Sequence, residues 1–259
     1  MELLNALFRW VHVLAGIVWV GMLYFFNFVN APLAGVLDGE TKKKVVPELM
    51  PRALFWFRLG AAWTWATGVL LLGIVFYHGG LVFDPERGWG LAAGVMVAVT
   101  FLAPFLYDAL QKSALGKNPK AFAALAFVLV AAVLALMSRW AGFSYRGFNI
   151  HLAVLFGTIM AWNVWFRIWP AQQKIVAAVK AGTAPDAALV AMAGARSRHN
   201  TYMSVPLIWG MINQHTTYFS GDNLGIPAAW SFGAYLVVIL IGWHIVWQLY
   251  RRAGRVKGF

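Results

Sequence analysis

From residue 5 onward the chain alternates long apolar runs with short polar ones. A helix needs about 20 mainly apolar residues to cross a bilayer. Runs of that length fall near 5–29, 53–77, 89–110, 120–140, 148–169, 201–219 and 229–250. The pattern predicts an all-α polytopic membrane helix bundle with about seven transmembrane helices. It leaves no stretch for a soluble domain, so 1–259 reads as a single transmembrane helical domain. The longest connections, 31–52 and 170–200, carry turn and amphipathic material, such as Lys174–Lys180 followed by Gly182, Pro185 and Asp186. Pro104 and Pro206 interrupt the third and sixth runs, where a missing N–H frees a carbonyl and often marks a kink or a cavity. There is no convincing internal repeat.

Lys and Arg set the orientation. With the N-terminal side called A, side B collects Lys42, Lys43, Lys44, Arg52, Arg58, Lys112, Lys117, Lys120, Arg167, Lys174, Lys180, Arg196, Arg198, Arg251, Arg252, Arg255 and Lys257, against Arg9, Arg87, Arg139 and Arg146 on side A. Basic loops stay in the cytoplasm, so the N-terminus is expected outside and the C-terminus inside. Composition agrees: 61% of residues are hydrophobic and 12% charged, where a soluble domain has about a quarter charged. The net charge of +12 then reflects cytoplasmic loops rather than nucleic-acid binding. Fourteen Trp and eight Tyr suit aromatic belts at the two interfaces. With no Cys, disulfides, thiolate metal sites, iron–sulfur clusters and covalently attached c-type haem are excluded from this chain. The short start before the first run lacks the basic region and cleavage site of a signal peptide, so the first helix is expected to be kept.

Polar groups inside a membrane are costly and are functional candidates by default. They fall into two layers. Near side A are His12, His151 and His215. Neutral imidazole ligates iron, and an apolar bundle can hold a porphyrin between helices; Ala15 and Gly16 keep the wall beside His12 low. These residues suggest haem b, one or two, although structural hydrogen bonding across helices is the blander alternative. His244 in the seventh run lies nearer side B and joins the ligand candidates, whereas His78 reads as ordinary surface. The inner layer holds Asn27, Asn30, Arg58, Asn163, Arg167 and Asn200, with Asn163 and Arg167 spaced four apart on one face. Guanidinium forks and carboxamides match a planar, anionic, polyamide ligand. The competing reading is that Arg58 and Arg167 snorkel to lipid phosphate.

Several segments together resemble a known family. RWVHVLAGIVWVGMLYFFNFVNAPL (Arg9–Leu33), PRALFWFRLGAAWTWATG (Pro51–Gly68), FLYDALQKSALGK (Phe105–Lys117), HLAVLFGTIMAWNVWFRIWPAQQKIV (His151–Val176) and RSRHNTYMSVPLIWGMINQH (Arg196–His215) are similar, in collinear order, to the membrane-bound bacterial urate hydroxylases. The resemblance implies oxidation of urate, or a related purine, to 5-hydroxyisourate, with electrons passed to a cytochrome c. Such proteins carry a C-terminal cytochrome c domain, and this sequence has no Cys-x-x-Cys-His, so a separate cytochrome partner is expected. Asp108 or His199 is then the candidate catalytic base. Rival readings are a haem-b electron-transfer subunit of a respiratory complex, a purine or anion transporter with the histidines in gating, and a structural subunit.

Overall fold

The computed structural model describes residues 1–213, 225 and 230–256. Among them it contains seven long helices: α1 (Glu2–Val36), α2 (Gly39–His78), α3 (Leu91–Lys112), α4 (Pro119–Trp140), α5 (Tyr145–Lys180), α6 (Ala187–Ile212) and α7 (Phe232–Ala253). All but α6 are long and apolar enough to cross a membrane. The run expected near 201–219 falls on α6 and extends beyond the described residues. The fold is an all-α helical bundle, as the hydropathy pattern predicts.

Local chemistry sets the helix starts. The Asp38 carboxylate accepts the Thr41 N–H at 3.0 Å and its hydroxyl at 2.6 Å at the head of α2. Asn118 accepts the Ala121 N–H at 3.1 Å, with Pro119 in the first turn of α4. The Asp186 carboxylate accepts the Ala188 N–H at 2.7 Å before α6. Such caps satisfy backbone donors that have no partner within the helix. Four helices contain a π-helical turn: Phe25–Asn30 in α1, Leu72–His78 in α2, Leu136–Trp140 in α4 and Val164–Ile168 in α5.

Two compact units make up the chain. The first comprises 1–70, 160–205 and 242–259. Within it α1 and α2 meet closely at Gly60, where a Cβ would lie 3.0 Å from the Trp19 nitrogen and 3.1 Å from the Ala15 oxygen. Phe26 packs edge-on against Phe57 nearby. The second unit comprises 71–159 and 206–241. Its core includes Phe148, Leu152, Val82 and Ile239, all fully buried. The loop after α2 is fastened to the segment before α5: Ser144 N–H donates to Val82 O at 2.8 Å, its hydroxyl to Leu81 O at 3.2 Å, and Phe83 pairs with Phe143. In the same unit Tyr235 donates to Pro206 O at 2.8 Å.

Candidate functional site

In the first unit, α6 carries a polar stripe. Arg196, Asn200 and Ser204 recur every four residues, and Ser197 and Thr201 follow one position behind, so all five share one face of the helix. Arg196, Asn200, Thr201 and Ser204 are at most 1% exposed. Two hydrogen-bond networks grow from this stripe.

One runs to α5. Arg196 Nη1 donates to Asn163 Oδ1 at 3.3 Å, Asn163 Nδ2 to Asn200 Oδ1 at 2.8 Å, and Asn200 Nδ2 to Met160 O at 3.0 Å. The bonds share one direction. Both carboxamides therefore turn the oxygen end of their dipole toward the guanidinium, which lowers the cost of a charge held away from water. Asn163 itself is fully buried, one residue before the π turn of α5.

The other network joins α6 to α1 and α7. Asn27, within the π turn of α1, donates to Leu23 O at 2.8 Å and Ser197 Oγ at 2.9 Å. Its Oδ1 accepts from the Tyr250 hydroxyl at 2.8 Å, which also lies 3.3 Å from Thr201 Oγ1. Ser204 gives its proton to Thr201 O, so it receives the Tyr24 hydroxyl at 3.0 Å. Tyr250 is packed further by Phe28 and Tyr202, and the Arg198 guanidinium stands 5.2 Å from its ring centre.

Of the inner-layer residues proposed from sequence, the fold brings Asn163 and Asn200 together and sets Asn27 in the neighbouring network. Asn30 reaches the Met50 sulfur at 3.7 Å. Arg58 lies against aromatics: its guanidinium is 4.2 Å from the Trp169 ring centre and 5.7 Å from that of Trp165, whose indole N–H donates to Arg58 O. Arg167 is half-buried and donates to Phe166 O at 3.3 Å. His199 is half-buried on α6 beside Asn200. In the second unit Asp108 is 7% exposed and ion-pairs with Lys112 at 2.8 Å. Sequence reasoning assigned Arg196 to a cytoplasmic loop and passed over Ser197, Thr201, Ser204, Tyr24 and Tyr250. The 3–4 spacing of polar residues through 196–204 was the available signal.

The histidines differ in what their ring nitrogens do. Among the described residues no three His, Cys, Asp or Glu side chains gather as a metal cluster, so the test of haem is ligation by single imidazoles. In the first unit the Thr67 hydroxyl gives its proton to Trp63 O at 2.5 Å. It therefore accepts from His12 Nδ1–H at 3.2 Å, and Nε2 carries the lone pair. This tautomer and anchoring fit an iron ligand. In the second unit His151 is fully buried. Its Nδ1–H donates to Gly147 O at 2.7 Å, and its Nε2 accepts the Tyr77 hydroxyl at 3.1 Å. The ring is further packed by Tyr77 and Phe143. Both nitrogens are engaged, so His151 as placed does not fit as a ligand. His244 is exposed on α7 with Nε2 against Gln248 at 3.2 Å. His215 lies outside the described residues.

A bundle of membrane-length helices with a guanidinium and two carboxamides buried in one chain of hydrogen bonds defines a polytopic membrane protein with a built polar interior. Residues 33–253 match the model of a family described as urate oxidase N-terminal. The match covers most of the chain, and the protein belongs to that family. Neither curated proteins nor solved structures return a match. Membership implies a urate-related oxidoreductase role in the membrane.

Proposed function

We propose that the protein oxidises urate, or a closely related purine, to 5-hydroxyisourate and passes the electrons through bound haem b to a c-type cytochrome. The observation that carries this reading is the Arg196–Asn163–Asn200 chain in a member of the urate oxidase N-terminal family. Urate is a planar monoanion bordered by amide groups. A guanidinium supplies forked donors for such an anion, and carboxamides supply both a donor and an acceptor for its edge.

The reaction balances as urate plus water giving the 5-hydroxylated product, two protons and two electrons. The side chains of the substrate site hold the purine and favour the charge that develops as a proton leaves. Asp108 or His199 is the proposed proton acceptor. Haem, when bound, supplies one-electron transfer between the substrate and the external carrier.

The test is the visible spectrum of the detergent-purified protein, recorded oxidised, after anaerobic urate and after dithionite. Appearance of the same reduced b-type bands with urate and with dithionite supports the reading. Bands with dithionite alone remove urate as the substrate, and leave an electron-transfer subunit. A haem-supplied preparation with no bands removes the haem step.

A further inference from the structure

We infer that His12 is the histidine that ligates the haem iron, through Nε2, and that Thr67 and Gly68 form the seat that aims it. The inference rests on the haem step proposed above and narrows it to one nitrogen atom.

Three observations converge. The first is the direction of the hydrogen bonds. The single proton of Thr67 goes to the carbonyl of Trp63, leaving its oxygen to accept from His12 Nδ1. The imidazole is held in the tautomer whose Nε2 is a lone-pair donor. Metal-binding histidines are characteristically oriented this way, with the other ring N–H tied to a group that is itself fixed.

The second is space. A Cβ at position 68 would stand 2.9 Å from His12 Cε1 and 3.4 Å from Nδ1. The first distance is below any ordinary carbon–carbon contact, so the ring occupies the space that only glycine leaves open. Gly16, also beside His12 in sequence, has a different surrounding: a Cβ there would meet Thr64 at 3.8 Å, an ordinary contact. The small residue that matters to the ring is therefore on α2, not on the histidine's own helix.

The third is comparison with the other described histidines. His151 has both ring nitrogens in hydrogen bonds and stands at 0% exposure. His244 has Nε2 against Gln248 and lies exposed. His12 is anchored to α2, by Nδ1 to the Thr67 hydroxyl and by a further hydrogen bond to the Thr64 backbone. His12 is half-buried, which keeps the ring out of bulk water and still leaves an edge to be approached.

Thr67 and Gly68 act through His12 and are positioning residues. The experiment compares haem content and low-temperature spectra of wild type, His12→Gly, Gly68→Ala, Gly21→Ala and Thr67→Val, each purified as a monodisperse, helical protein. His12→Gly should lose the b-type spectrum, and millimolar imidazole added to it should restore low-spin bands. A merely structural histidine would show no such rescue. Gly68→Ala should lower haem content at least fivefold, whereas the same added methyl at Gly21, with nothing within 4 Å, should leave it unchanged. Thr67→Val should retain haem but shift its spectrum or midpoint potential. Unaltered spectra in both His12→Gly and Gly68→Ala, in a protein whose wild type does hold haem, would overturn the assignment and leave the function standing. A wild type devoid of haem would overturn the haem step and this assignment with it.

Discussion

Replacing Asn200 with Leu tests whether the Arg196–Asn163–Asn200 chain is one energetic unit. The two side chains are similar in size, so the change removes polarity with little loss of packing. Asn200 accepts from Asn163 at 2.8 Å and donates to Met160 O at 3.0 Å, and its side chain is fully buried. Side-chain hydrogen bonds between membrane helices average about 0.6 kcal/mol and reach about 1.7. Two lost bonds therefore predict a destabilisation of about 1–3 kcal/mol, at the upper end because the partners stay buried. If urate is held by the same carboxamides, the loss of one substrate bond worth about 1.4 kcal/mol raises KM about tenfold. The assays are reversible unfolding in mixed micelles and steady-state urate oxidation with an added electron acceptor. A double-mutant cycle with Asn163→Leu isolates the pair, and should show a coupling of at least about 0.5 kcal/mol. A coupling near zero together with an unchanged KM would refute the reasoning on both counts.

Tyr250→Phe removes the hydroxyl that holds Asn27 Oδ1 at 2.8 Å; stability should fall by about 1 kcal/mol, and limited proteolysis should reach the end of α7 sooner, with KM for urate unmoved. Gly60→Ala places a methyl 3.0 Å from the Trp19 nitrogen, where backbone cannot yield; folded yield should drop sharply, while Gly21→Ala, with nothing within 4 Å of the added carbon, should behave as wild type on size exclusion. Arg58→Lys keeps the charge but loses the flat face over Trp169; stability should fall by about 0.5–1 kcal/mol and tryptophan emission should shift, and an unshifted spectrum would deny the stacking.

The helix content was legible because membrane spans advertise themselves as long apolar runs, and six of the seven long helices carry one of those runs over nearly all of its length. α6 was harder. Its polar stripe of Arg196, Ser197, Asn200, Thr201 and Ser204 lowers its hydropathy, so the apolar run begins only at about 201, whereas the helix begins at Ala187. The same stripe is what builds the candidate site. Treating Arg196 as one more cytoplasmic charge followed the general bias of basic residues; a 1% exposed guanidinium shows how a rule about loops fails for a residue on a helix face. Asn163 and Asn200 were identifiable as polar residues in apolar runs, but their meeting at 2.8 Å depends on the approach of α5 and α6 in space, 37 positions apart in the chain. The tautomer of His12 was equally out of reach, since it follows from where Thr67 sends its proton.

Among the described residues of the first unit, α6 takes part in more of the polar bonds between helices than any other helix. Asn27 and Tyr24 of α1, Asn163 and Met160 of α5, and Tyr250 of α7 all bond to it. Apolar side chains gain little by leaving lipid for one another, so packing and interhelical hydrogen bonds must fix the register of such helices. That requirement accounts for the Tyr24, Asn27 and Tyr250 network without any ligand, because its donors and acceptors are satisfied by hydroxyls, carboxamides and carbonyls alone. It does not account for Arg196, since neutral partners would serve register at lower cost than a buried guanidinium. The two networks on α6 are therefore separable by measurement. Substitutions in the tyrosine half should change stability and leave urate kinetics alone, whereas Arg196→Gln, which keeps a donor and removes the charge, should change urate affinity more than it changes the folded state.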